Sequence, residues 1–329
     1  MKKYWALGAA ALLTLAIAGC SSSEEGSETS TSSEVKTEET AQDTTKREEA
    51  TTQTITYLGQ DYTIPAEVNN IVAASFEAME DAAMLGIKPV GALQIGGALP
   101  TYLEKDLEGA QLIGDKKEPN AEAILALKPD IIVGTSKWGE DVLAKMNKIQ
   151  TTLPYSHIST NWKENLTVLA KVSGKEAEAQ KIIADYEAKV TEVKAKSVEQ
   201  LADKNILIIR IRGGLMYIYA ADTYLNPVLY EDLGAPVPEI IKSTKAQEEI
   251  TLESLAEVNP DAIFLQFEAS ENADASQALE QLQNNPIFKN IKAAQNNQVF
   301  VNTIDPMAQG GTAWSKVKFL DAAAEKLLQ

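Results

Sequence analysis

The chain has 329 residues and a formal net charge of −17, from 30 basic against 47 acidic side chains, with one cysteine and one histidine. A single cysteine excludes a disulfide within the chain and any cysteine-based metal cluster, and a single histidine disfavours a bare zinc or manganese carrier, which takes several imidazoles. The acidic balance argues against nucleic acid or an anionic membrane face as a partner, and it makes any local group of basic residues conspicuous.

Lys2 and Lys3 followed by the apolar run Tyr4 to Ala18 read as an export signal, since the run is too short for an ordinary membrane span. It ends in Ile17-Ala18-Gly19-Cys20, which resembles the lipobox of bacterial lipoproteins. Residues 1–19 are therefore expected to be a signal peptide. Cys20 is expected to carry lipid, which would hold the mature chain on the extracytoplasmic face of the cell membrane by that anchor alone. Residues 20–53 are rich in Ser, Thr, Glu and Lys with almost nothing apolar, the composition of a solvated tether.

From residue 54 the pattern alternates between strands and helices. Ile55–Gly59 and Gln60–Pro65 read as a small hairpin. Asn70–Ala74, Pro89–Ala92, Gln111–Gly114 and Ile131–Gly134 read as strands, with helices at Met79–Leu85 and Asn120–Leu127. Such alternation predicts a parallel sheet with crossovers, in which ligands sit beyond the carboxyl ends of the strands. Lys116 and Lys137 both fall just past strand ends.

Lys175–Leu201 contains no Gly or Pro, and its apolar residues Ala179, Ile182, Ile183, Tyr186, Val190 and Val193 keep the spacing of one helical face. With Ser173 as a start signal, the segment 173–201 is expected to be a rigid helix joining an N-terminal lobe, 54–172, to a C-terminal lobe, 202–329. In the second lobe Asn205–Arg212 is almost wholly apolar and ends in two arginines. Positions two apart on a strand point to the same side, so Arg210 and Arg212 project together. Gly213-Gly214 turns the chain into Met216–Tyr219. Ala262–Phe267 and Val299–Asn302 are further strands, and Thr312–Leu328 is a closing helix. An internal echo supports two related lobes: Glu122 precedes Pro129-Asp130 and a strand, and Glu253 precedes Pro260-Asp261 and a strand at the same spacing.

Catalysis is poorly supported. A Ser-His-Asp arrangement could use only His157, which reads better as a hydrogen-bonded loop residue, and no Gly-rich phosphate loop occurs. The carboxylates are scattered over helices and read as solvated faces. Lys116, Lys137, Arg210 and Arg212, two from each lobe, imply an anionic ligand in the crevice, and Arg and Lys can also lie against aromatic rings.

Gly114 to Asn120, Ser156 to Asn165, Ile209 to Arg212 and Asp305 to Lys316 resemble the siderophore-binding lipoproteins of ABC importers. Within that family they are most similar to members that take ferric tris-catecholates of the bacillibactin and enterobactin type. The resemblance covers the chain from about residue 54 to its end. It implies an α/β fold of two lobes with mainly parallel sheets joined by a single long helix, and no enzymatic activity. Lys116, Lys137 and Arg212 would then hold the ferric catecholate, with Arg210 and Gln247 as helpers. The iron would be held by the siderophore, so no resident cofactor and no metal ligand of the protein are implied. Glu122 and Glu253 would dock an ABC permease dimer with its ATPase. Gly213 departs from the pattern, standing where those relatives carry a polar residue. Ferric hydroxamates and ferric citrate are the alternatives within this class. The former are usually near neutral and would leave several cations unpaired, and the latter lacks rings. An extracellular hydrolase is the alternative from another class.

Overall fold

The computed structural model describes residues 51–328, so the expected signal peptide, Cys20 and nearly all of the expected tether lie outside it. The first strands, β1 (Thr52–Tyr57) and β2 (Gln60–Pro65), form an antiparallel hairpin. Its tip, Leu58-Gly59, has positive φ at both residues, the twist-matched two-residue turn. The hairpin starts before residue 54, where the tether was expected to stop. Thr52 and Gln53 pair with Pro65 and Ile64, and backbone pairing extends a strand through polar residues that hydropathy assigns to a linker.

The N-terminal lobe holds a five-stranded sheet of β3 (Ile71–Ala73), β4 (Gly91–Ala92), β5 (Gln111–Leu112), β6 (Ile131–Thr135) and β7 (Thr152–Tyr155). Its spatial order is β5-β4-β3-β6-β7, parallel throughout. Helix α1 (Phe76–Leu85) is capped by Ser75, whose hydroxyl accepts from Ala78 N, and is closed by Gly86 in the left-handed region. Helices α2 (Ala121–Ala126), α3 (Glu140–Asn147) and α4 (Trp162–Ser173) complete the lobe.

Helix α5 (Glu176–Leu201) is the long connector. At 26 residues it spans about 39 Å. Of its expected apolar face, Ala179, Tyr186 and Val193 are buried, and Ile182, Ile183 and Val190 are packed at its margin. It starts three residues later than expected. Ser173 is the last residue of α4, its hydroxyl donating back to Leu169 O, and Gly174 caps that helix at φ 66°.

The C-terminal lobe repeats the plan with a difference. β8 (Ile206–Arg212), β9 (Leu215–Tyr219), β10 (Gln247–Glu249), β11 (Ala262–Phe267) and β12 (Val299–Val301) lie in the order β10-β9-β8-β11-β12. β8, β11 and β12 are parallel, whereas β9 runs antiparallel to both its neighbours, β8 and β10. Helices α6 (Glu239–Ser243), α7 (Leu252–Val258), α8 (Ala278–Asn284), α9 (Pro286–Lys289) and α10 (Lys292–Gln295) surround the sheet.

The echo seen in the sequence is the same local structure twice. Asn120 caps α2 and Thr251 caps α7, and the residue before each Pro, Lys128 or Asn259, takes a positive φ. Asp130 then accepts from Asn69 N and Asn70 N, and Asp261 accepts from Asn205 N. Each aspartate ties its helix-to-strand turn to the start of the neighbouring parallel strand.

The last helix, α11 (Ala313–Leu327), is more than a closing element of the second lobe. It packs against α1 and α4 of the first lobe and against α5, while Phe319 meets Phe264 of β11. Buried Glu80 of α1 accepts hydrogen bonds from Thr312 Oγ1, Ser315 Oγ, Gln309 N and Tyr102 OH. Asp81 accepts from Ala313 N and Tyr155 OH. Lys316, also buried, pairs with Asp232 at 2.9 Å between the rings of Trp162 and Tyr186. These carboxylates are interior anchors, not the solvated faces expected. Among the described residues no helix is long and apolar enough to cross a membrane.

Candidate ligand-binding site

The four expected cations sit at the carboxyl ends of their strands. Lys116 lies in the turn after β5, which Gly114 and Pro119 close by bridging to each other. Lys137 follows β6, next to Trp138, whose ring lies so close over Gly134 that a Cβ there would fall 2.1 Å from it. Glycine is therefore required for the loop that presents Lys137. These two lysines, with Lys117, Trp138, Glu77 and Gln309, line a cavity of about 340 Å³.

Arg210 and Arg212 end β8 and point the same way, as their spacing predicts. Their environments differ. Arg210 is 6% exposed, with its guanidinium 5.5 Å from the Tyr224 ring, whereas the Arg212 side chain is 32% exposed and donates from Nη1 to Gln247 Oε1 at 3.3 Å. Strand β10 brings Gln247 there by pairing with β9.

All four cations already have carboxylate partners within the protein. Glu271, in a short 3-10 segment after β11, receives three of them. Arg210 contacts its Oε2 through Nη2 at 2.8 Å and Nε at 3.0 Å, Arg212 Nη2 reaches Oε1 at 2.8 Å, and Lys116 Nζ reaches Oε1 at 3.3 Å. The contact joins the lobes, since Lys116 belongs to the first and the other residues to the second. Burial would raise the Glu271 carboxyl, but Arg210, Arg212 and Lys116 outweigh it and bring it down to about 2. Burial lowers Lys116, against the pull of Glu271. Lys137 pairs with Glu77 Oε1 at 2.9 Å, and Glu77 is itself almost fully buried.

Glu271 and Glu77 are the site residues that sequence reasoning missed. Glu271 stands in a polar run, Glu268 to Ser276, with no periodicity to mark it. The available signal was positional: it follows a parallel strand at the same end of the sheet as the arginines. Glu77 is in the first turn of α1, directly after β3, and carried the same signal.

His157 is a loop residue bonded through Nδ1 to Ser136 Oγ at 2.7 Å, and burial, then Lys137, lower its pKa. Glu122 and Glu253 are both exposed, each the second residue of its helix. Among the described residues no group of three or more His, Cys, Asp or Glu is placed to hold a metal ion.

Comparison with known proteins gives this geometry its context. The chain is 48% identical over 276 residues to the iron-uptake system-binding protein of Bacillus subtilis, covering 84% of this chain and 87% of the relative. It is 30% identical over 295 residues to the probable siderophore-binding lipoprotein YfiY of the same organism, covering 86% and 85%. Its structure matches the crystal structure of the Bacillus subtilis triscatecholate siderophore-binding protein FeuA complexed with ferri-bacillibactin. The TM-score is 0.81 and the identity 48%, covering 84% of this chain and 98% of that one. A family model described as periplasmic binding protein matches residues 71–305, well over half of the chain. Two lobes around a crevice, matched along nearly their whole length to receptors of this kind, make the chain a member of the periplasmic binding protein family.

Proposed function

We infer that the protein captures a ferric catecholate siderophore of the bacillibactin or enterobactin type outside the cell and passes it to an ABC importer. The observation that carries this reading is the convergence of Lys116, Lys137, Arg210 and Arg212 from two lobes on one crevice in an otherwise acidic chain. Ferric iron held by three catecholates is a trianion with a full ligand shell. It needs cations and hydrogen-bond donors from a protein, not metal ligands. Arg212, with its planar fork fixed at a strand end and steadied by Gln247, suits catecholate oxygens. Lys116 and Lys137 supply point charges from the facing lobe. Glu77 and Glu271 offset only two of the four positive charges, and a neutral ferric hydroxamate would leave the other two without a counter-charge. The ligand contacts both lobes at once and so favours their closed arrangement.

Glu122 and Glu253, exposed on matching helices of the two lobes, are suited to meet cationic side chains of a two-fold permease. Cys20 is the attachment point for the lipid that keeps the receptor at the membrane.

Titration by intrinsic fluorescence with ferri-enterobactin, ferri-bacillibactin, ferrichrome and ferric citrate at fixed salt tests the reading. The tris-catecholates should bind most tightly, and their affinity should fall as sodium chloride is raised, since charge pairing in an open crevice is screened. Tighter binding of ferrichrome, insensitive to salt, would refute it.

A further inference from the structure

The charge arrangement of the crevice has an unexpected occupant. Glu271 receives Lys116, Arg210 and Arg212, three of the four cations that the reading above gives to the ligand. Its position is held by its own segment. Glu271 O accepts from Gly213 N at 3.0 Å, and fully buried Asn272 bonds both sides of the β8–β9 turn, donating to Ile211 O and accepting from Gly214 N. Asn272 also breaks the helical run at φ −127° and ψ 30°, which leaves Glu271 on a fixed shoulder beside the arginines. The carboxylate is thus presented to the cluster by a rigid backbone, and its side chain is only 11% exposed.

The two oxygens are used differently. Oε2 is committed to Arg210, a buried side chain with two contacts there. Oε1 takes Arg212 and Lys116, whose side chains are 32% and 43% exposed and come from opposite lobes. An anion entering the crevice meets these two cations and finds them already engaged.

We propose that Glu271 is an affinity-determining residue, a built-in anion that occupies Lys116 and Arg212 in the empty receptor and competes with the ligand for them. Oε2 keeps Arg210 as a structural support, while the Oε1 contacts exchange for ligand oxygens. In the empty protein the carboxylate bridges the lobes across the crevice. In the loaded protein its charge opposes the trianion and limits how tightly the ligand is held, which favours release to the importer. This proposal rests on the siderophore-binding reading above and adds to it a residue that weakens binding by design of the site.

The test compares Glu271→Gln, Glu271→Asp and Arg212→Ala with the parent, each titrated with ferri-enterobactin and with neutral ferrichrome. Glu271→Gln removes the charge at nearly constant shape and should tighten ferri-enterobactin about tenfold while leaving ferrichrome unchanged. Glu271→Asp retracts the carboxylate by one methylene and should tighten it by less, which keeps the test open if the glutamine variant fails to fold. Equal or weaker binding of ferri-enterobactin by these variants, with Arg212→Ala still impaired, overturns the proposal and leaves the binding site standing. If Arg212→Ala itself binds like the parent, the site is misplaced and the proposal falls with it. A second measurement uses no siderophore. Empty Glu271→Ala should be stabilised against heat by formate, a small carboxylate that can refill the place, more than by chloride at equal ionic strength. The absence of that difference also overturns the proposal.

Discussion

Replacing Arg210 and Arg212 one at a time by alanine should separate stability from affinity, although the two residues sit two positions apart on one strand. Arg210 is buried and puts Nε and Nη2 on one oxygen of Glu271. The fall of that carboxyl from its ordinary 4.5 to about 2 is equivalent to about 3 kcal/mol, and to about 2 once solvent screening is allowed for. Arg210 and Arg212 both lower it, but removing buried Arg210 also empties the space beside Tyr224 and Met307, which costs about 1–2 kcal/mol more. Arg210→Ala should therefore lose about 2–3 kcal/mol, a fall in Tm of roughly 4–6 °C. Arg212 is a third exposed, so water replaces much of what it loses, and Arg212→Ala should cost about 1 kcal/mol of stability. Its cost to ferri-enterobactin binding should be larger, about 2–4 kcal/mol, and larger than the 1–2 kcal/mol expected for Lys116→Ala or Lys137→Ala. Thermal unfolding of the empty variants and titration of the same preparations give both quantities. Equal losses of stability for the two arginine variants would refute the assignment of Arg210 as support and Arg212 as ligand contact.

Three further outcomes follow from other parts of the molecule. Glu122→Arg with Glu253→Arg should leave siderophore binding unchanged and impair uptake in cells lacking the native copy, the double variant more than either single one. Normal uptake by the double variant would dismiss the docking role. Burial pushes the Glu80 carboxyl up to about 7 against its hydrogen bonds, so the folded state holds a proton that the unfolded state releases near 4.5. Stability should then fall as pH rises through this window. Glu80→Gln should remove about 3 kcal/mol of that fall between pH 5 and 8, with Asp81, raised in the same direction, retaining some slope. An unchanged slope in denaturant melts would exclude Glu80 as its source. Gly134→Ala should displace Trp138 and with it Lys137, costing about 1–3 kcal/mol of stability and weakening ferri-enterobactin, as melts and titration of the variant would reveal.

What could be read in the chain was whatever repeats at short range. The face of α5 follows from a 3.6-residue spacing, and β8 from an unbroken apolar run closed by two arginines. The matching turns at Pro129-Asp130 and Pro260-Asp261 follow from identical spacing. Interactions set by tertiary approach left no such trace. Strand β7 contains Pro154, which is tolerated because β7 is the edge of its sheet. Strand β10 is wholly exposed and polar, and only its place beside β9 makes Gln247 a neighbour of Arg212. Gln247, and the docking role expected for Glu122 and Glu253, entered through resemblance to a family, although the two glutamates themselves stand out in the repeated spacing. Glu271 is 59 residues from Arg212 and 155 from Lys116, so the pairing exists only once both lobes have folded and met.

The junction between α1 and α11 has a consequence for how the molecule is made. Thr312 and Ser315 lie 232 and 235 residues beyond Glu80, so they leave the ribosome long after it. Until they arrive, α1 carries two carboxylates with no hydroxyl or amide from α11 to receive them, on a surface that is meant to be covered. The first lobe can form its sheet early, but it cannot seal this face on its own, and the face closes only when α11 packs back on α1. A nascent or truncated form that stops short of residue 312 would remain loose at α1, open to proteases and to unfolding factors, whereas a chain that includes α11 closes this face in one late step.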